Sequence, residues 1–199
     1  MFTLLYNKYN APGHCLIDMY YPEHIIHDIV LIQDKTTKDK AKAREACLMT
    51  LNQSFEYSST SDSCIAIITD ASVPQLNTKY QAVTAWHIWH SDHYFEDFRS
   101  GGLAISDNAE MNAISRALKA LSETLDSISD INKIHIYSDF MHTLHSVLDP
   151  SIHSVQLYML EALGILSPWM EEKTCHKISL HYVPDCEDYM FEPHHLYKN

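Results

Sequence analysis

The clearest pattern along the chain is an alternation that ends on an acid. In "CIAIITDAS", residues 64–72, an apolar run gives way to Thr69 and Asp70. In "KIHIYSDF", residues 133–140, Ile134 and Ile136 alternate with Lys133 and His135 before Ser138 and Asp139. Both read as buried β-strands whose last polar residue is an aspartate. "KYQAVTAWHIWH" (79–90) predicts a long strand, and "HYFEDF" (93–98) its hairpin partner across the weak turn signal "SD". Trp86 and Trp89 point to opposite faces of that strand, so at least one enters the core. "KISLHYV" (177–183) predicts a last strand with Ile178, Leu180 and Tyr182 on one face.

Between the strands the period changes. In "DNAEMNAISRALKALSETL" (107–125), Met111, Ile114, Leu118, Leu121 and Leu125 recur at three- and four-residue steps, which predicts a helix. "FMHTLHSVL" (140–148) predicts a short helix stopped by Pro150. "SVQLYMLEALGILSPWMEE" (154–172) predicts another, kinked or ended near Pro168. "GG" at 101–102 should break the chain. The order β-β-β-α-β-α-α-β predicts an α/β fold with a mixed sheet: an antiparallel meander, then parallel strands joined by right-handed helical crossovers. Upstream, residues 1–33 read as extended segments broken by Pro12, Gly13 and Pro22. Residues 35–53 read as a helix with a basic first half, and the Ser-rich "FEYSSTSDS" (55–63) as a linker. A boundary near residue 60 follows, with residues 1–60 as an N-terminal extension and 61–199 as the main domain.

Composition narrows the class. A chain of 199 residues has room for one good-sized domain plus an extension. No apolar run approaches the roughly 18–20 residues of a membrane span, so no membrane partner is expected. "MFTLLYNKYN" lacks the basic and apolar regions of a signal peptide. The five cysteines are scattered without a C-x-x-C, which favours reduced thiols in an intracellular, non-secreted protein. The net charge of −12 is uneven: residues 1–60 carry 6 basic and 7 acidic side chains, residues 61–199 carry 8 and 19. An acidic main domain is poorly suited to gripping phosphates by charge alone, so its carboxylates call for their own explanation. Lys35, Lys38, Lys40, Lys42 and Arg44 offer an upstream basic face, whose simpler reading is solvated surface.

If the 64–70 and 133–138 strands are parallel neighbours, Asp70 and Asp139 emerge side by side at their carboxyl ends, where open α/β sheets bind ligands. Glu110 shares a helix face with Ile114, Ala117 and Leu121, the face turned to the sheet. Three convergent carboxylates repel unless cations compensate, and hard oxygen ligands suit Mg²⁺ or Mn²⁺. Two such ions about 3.5–4 Å apart stabilise the attacking and leaving oxygens of a phosphoryl displacement. Each residue also has a purely structural reading. Asp139 can cap the 140–148 helix, Asp107-x-x-Glu110 resembles a capping box, and Asp70 can hold a turn. Spacing alone does not choose. His87, His90 and His93 lie three apart; on a strand that step alternates faces, so only a hairpin bend gathers them into a zinc site. "LHSVLDPS" has no nucleophile elbow, which leaves a serine hydrolase without support.

Taken in order, "IITDAS", "AEMNAISRAL", "IHIYSDF" and "LHYVP" resemble the motifs of the ribonuclease H type I superfamily, over residues 61–184. "SDFMHTLHSVLDPSIHSVQLYMLEAL" resembles the RNase H region of LINE-type (non-LTR) reverse transcriptases, notably fungal ones. The resemblance implies an RNase H-like five-stranded mixed sheet flanked by helices. It implies Asp70, Glu110 and Asp139 as catalytic ligands of Mg²⁺ or Mn²⁺. The implied activity is hydrolysis of the RNA strand of an RNA–DNA hybrid by a retroelement-derived domain, with an upstream reverse transcriptase domain as partner. The chain departs from the pattern at its end. There, "VPDCEDYMFEPHHLYKN" sets Cys186 at the usual histidine and Leu196 at the usual last aspartate, with Asp188, Glu192 and His195 as alternatives for the fourth ligand. Phe140 stands where the family commonly has Ser. These departures carry a second implication: a catalytically inactive RNase H-like structural or interaction module from a decayed or domesticated retroelement.

Overall fold

The computed structural model describes residues 25–28, 45, 49, 52–74, 81–91, 93–102, 104–125, 131–146 and 156–183. In chain order they form strand β1 (Ile25–Asp28), helix α1 (52–60), strands β2 (Cys64–Ser72), β3 (Ala82–His90) and β4 (His93–Gly102), helix α2 (Ser106–Leu125), strand β5 (Lys133–Ser138), helices α3 (Met141–Ser146) and α4 (Gln156–Glu172), and strand β6 (Lys177–Tyr182). The strands make one sheet in the order β1-β6-β5-β2-β3-β4. β2, β3 and β4 pair antiparallel. β2–β5, β5–β6 and β6–β1 pair parallel. The expected mixed sheet is present with six strands, not five. The addition is β1, four residues long, too short to show a period of two in the sequence. Among the described residues no helix is long and apolar enough to cross a membrane.

Alternation gives the sheet two faces. Ile65, Ile67, Ile134, Ile136, Ile178 and Leu180 line one, under α2 and α4. The α2 stripe of Met111, Ile114, Leu118 and Leu121 is buried there, as its spacing predicts. Trp86 joins this core, while Trp89 is half-buried on the opposite face. α4 does not end at Pro168 but runs on to Glu172. Proline removes the hydrogen bond to the carbonyl four residues back, which belongs to the exposed Gly164. Beyond it, Trp169 and Met170 are buried, and the His176 ring stacks on Trp169 at 4.2 Å. His176 Nδ1 also bonds the Trp169 carbonyl. Tertiary anchors therefore hold the last turn. Similarly, the glycines at 101–102 do not break β4, which extends through Gly102 with its φ of +73° opposite a register shift at Ala82/Val83. Ser91 takes a φ of +51° at the hairpin tip, a conformation that "SD" does not advertise.

The other face carries Ala66, Ile68, Tyr137 and Val183. Helix α1 lies over it. The segment expected as a Ser-rich linker is helical because its side chains find tertiary partners. Phe55 packs edge-on against Trp89 and Tyr137, at ring distances of 5.3 and 5.6 Å. Ser54 and Ser58, one turn apart, each bond the Tyr137 hydroxyl at 3.1 and 3.0 Å. Removing that hydroxyl in Tyr137→Phe should cost about 1 kcal/mol of stability in urea denaturation, with little change in the site described below.

Three buried histidines share this face. His135 and His181 stack at 5.1 Å, with His135 Nδ1 at 2.8 Å from His181 Nε2. Burial lowers His135 to about 4 and His181 to about 3, with Lys133 adding to both and His135 adding to His181. Burial also lowers His87 to about 4 against the opposing pull of Glu96. In the unfolded chain such rings take up a proton near pH 6.5. Folded, they stay neutral until about pH 4, so stability is lost as pH falls through that window. The urea midpoint should fall steadily from pH 6.5 to 4.5, each ring contributing a loss of up to about 2 kcal/mol, and His135→Phe with His181→Phe should flatten that slope.

Candidate metal centre

The parallel register of β2 and β5 pairs Ile68 with Tyr137. Asp70 and Asp139 each stand two residues further along. The register thus delivers both past the carboxyl end of the paired stretch, side by side. Asp70 is buried within β2, and Asp139 is half-buried just after β5. Helix α2 packs on β2 and β3. Its buried stripe runs back through Leu121, Ala117 and Ile114 to Glu110, which is 5% exposed in the first turns. One oxygen from each of Asp70, Glu110 and Asp139 lies within 4.8 Å of the other two. The three residues singled out by sequence spacing are therefore brought together. Among the described residues no other three His, Cys, Asp or Glu side chains converge this closely.

The structural readings fare differently. Asp70 lies inside β2, not in a turn. α2 begins at Ser106, so Asp107 is already inside the helix. Asp107 faces His142, and Glu110 accepts the Ala71 N–H; the pair does not form a capping box. At the end of β5 the Ser138 hydroxyl accepts the Phe140 N–H, which tightens the entry to α3.

Burial, then the neighbouring Asp70 and Asp139 charges, push the Glu110 carboxyl up to about 9, and the Ala71 N–H only partly offsets them. In the cation-free protein Glu110 therefore holds a proton at neutral pH. Its Oε2 is buried and has no hydrogen-bond partner. Asn108 Oδ1 and Thr143 Oγ1, on the flanking turns of α2 and α3, are likewise buried without one. A buried acceptor lacking a donor is costly, and at Glu110 Oε2 a bound cation would supply what is missing. Three hard oxygens at this separation fit a divalent ion of the Mg²⁺ or Mn²⁺ class.

Of the histidine run, the side chains of His87 and His90 take different partners, and that of His93 lies outside the described residues. His87 lies 3.6 Å from Glu96, while His90 Nδ1 bonds the Cys64 carbonyl at 3.0 Å. The alternatives for a fourth ligand (Asp188, Glu192, His195), the departures Cys186 and Leu196, and the basic residues Lys35, Lys38, Lys40, Lys42 and Arg44 lie outside the described residues. Sequence reasoning missed two contacts. His142 Nδ1 sits 3.0 Å from Asp107 Oδ2. Arg116 donates to Thr84 Oγ1 and the Ser100 carbonyl, both at 3.1 Å, and ties α2 to β3 and β4. Neither had a sequence signal, because each joins separate elements through one polar side chain.

No protein-family model and no curated protein matches the sequence. Solved structures do. The N-terminal RNase H domain of Rv2228c from Mycobacterium tuberculosis superposes with a TM-score of 0.50, at 14% identity, over 66% of this chain and 94% of that one. The fold is RNase H-like. LC11-RNase H1, solved in complex with an RNA/DNA hybrid, gives a TM-score of 0.48 at 16% identity, over 66% of this chain and 92% of its own. RNase H1 from Halobacterium salinarum gives 0.45 at 18%, over 61% and 86%.

The raised Glu110 carboxyl has a measurable consequence. Unfolded, it ionises near 4.5; folded, it ionises near 9. Between those values the unfolded state binds fewer protons, so cation-free stability falls as pH rises through this window. Glu110→Gln should melt higher than the native chain at pH 8 in chelator, by about 1–3 kcal/mol. Each tenfold change in proton affinity is worth about 1.4 kcal/mol, and the buried amide gives part of that back. Thermal melts at pH 5 should show the gap closing.

Proposed function

We propose that the chain is a divalent-metal-dependent ribonuclease H, an endonuclease that hydrolyses the RNA strand of RNA–DNA hybrids. The observation that carries this reading is the convergence of Asp70, Glu110 and Asp139 within 4.8 Å at the carboxyl ends of β2 and β5 in an RNase H-like sheet. Asp70 and Asp139 would hold Mg²⁺ or Mn²⁺ from the strand side, and Glu110 from the helix side. Bound there, the ion would polarise a phosphoryl oxygen and lower the pKa of water. The protein's own contribution is placement. β2 and β5 fix two carboxylates by register, α2 fixes the third by its buried stripe, and the Ala71 N–H orients that third carboxylate. Glu110 must give up its proton on binding, so binding strengthens as pH rises.

The resemblance of residues 138–163 to the RNase H region of LINE-type reverse transcriptases supports a retroelement origin, with residues 61–199 as the nuclease part and a reverse transcriptase domain as the upstream partner. The net charge of −12 favours the second reading, a non-catalytic module. One experiment separates them. A labelled RNA–DNA hybrid is incubated with the full chain in Mg²⁺ or Mn²⁺, beside Asp70→Asn. The expected result is metal-dependent cutting of the RNA strand only, reduced at least about 10²-fold in the variant. A folded native chain that cuts with neither ion would establish the inactive module instead.

A further inference from the structure

Cleavage of a phosphodiester expels a sugar 3′-oxygen, which a bound cation would stabilise as it departs and which leaves faster still when it receives a proton as the bond breaks. Ionised around a cation, Asp70, Glu110 and Asp139 accept hydrogen bonds and have no proton to give. A proton donor therefore lies outside those three carboxylates. Asp107 and Glu110 are three residues apart on α2, hence neighbours on one side of its first turns. His142 and Asp139 are three residues apart at the passage from β5 into α3. The 3.0 Å contact from His142 Nδ1 to Asp107 Oδ2 joins those same two segments. It spans the gap that Glu110 and Asp139 also span.

The chemistry of the pair is specific. A carboxylate accepting from Nδ1–H fixes the ring's orientation and leaves Nε2 as the nitrogen that exchanges a proton. The His142 side chain is 64% exposed, so a substrate can reach it. His135, on β5 itself, is buried and bonded to His181 on the far face. We propose that Asp107 and His142 form a proton-donating dyad for the leaving oxygen of the RNA strand, an inference that rests on the ribonuclease reading. The water oxygen forms the new P–O bond. The P–O3′ bond breaks, its electron pair goes to O3′, and His142 Nε2–H passes its proton to that oxygen. The attacking water loses one proton to solvent, and the neutral imidazole recovers one from solvent. His142 is the catalytic residue of the pair, and Asp107 is a positioning residue.

The test uses two hybrids that differ at one atom of the scissile ribose, a 3′-oxygen or a bridging 3′-sulfur. A thiolate leaves without needing a proton. With the full chain, His142→Ala should lower kcat on the oxygen hybrid about 10²-fold and leave KM within about twofold. On the sulfur hybrid, native and variant should agree within about threefold, and Asp107→Asn should follow the same pattern with a loss of about tenfold on oxygen. An equal loss on both hybrids, or no loss on the oxygen one, overturns the dyad. In those cases native cutting that Asp70→Asn abolishes leaves the ribonuclease reading standing. A folded native chain that cuts neither hybrid overturns both.

Discussion

Three carboxylates held within 4.8 Å of one another repel, and the rest of the domain is arranged to keep them there. A single pair of charges about 4 Å apart costs about 1 kcal/mol in water and about 4 kcal/mol at the effective dielectric near a protein surface. That cost is borne by apolar burial elsewhere. β2 and β5 are locked by Ile65, Ile67, Ile134 and Ile136 beneath two helices. α2 is locked by the stripe that ends at Glu110 and by the Arg116 contacts to β3 and β4. With neither element free to retreat, Glu110 relieves the repulsion by keeping its proton. A site built this way is unstable in itself and stable only through its surroundings, the usual condition of a cluster kept for a ligand.

β5 shows how one short strand serves three regions. Ile134 and Ile136 face the main core. His135 and Tyr137 face the opposite side, where Tyr137 meets α1 and His135 meets His181. Ser138 turns the chain, and Asp139 follows into the acidic site. The far face is thus joined to the site through the backbone of one six-residue element. Its histidines are kept neutral by burial, so no charge from them competes with the carboxylates.

What could be read from the sequence was whatever depends on local period. The strands around Ile67 and Ile136, the α2 stripe and the face of Glu110 follow from spacing alone. Their convergence followed once β2 and β5 were taken as parallel neighbours. What escaped depends on contacts far apart in the chain. Ser54 meets Tyr137 across 83 positions, so a Ser-rich stretch that looks like a linker is a docked helix. Pro168 sits inside α4 because Trp169 and His176 secure the turn beyond it. The Asp107–His142 pair joins two polar residues that no periodicity marks. β1 is too short to announce itself, and its place in the sheet is set by β6.

That last strand has a bearing on how the molecule meets copies of itself. β6 pairs on one side with β5 and on the other with the four residues of β1. Without them, β6 would present a row of open backbone donors and acceptors flanked by buried Ile178 and Leu180, a template for pairing with another chain. Among the described residues β1 closes that template, and it is only four residues long, a poor footing for a further strand. One margin of the sheet is thus closed by four residues of backbone pairing, while the ten-residue β4 forms the other among the described residues.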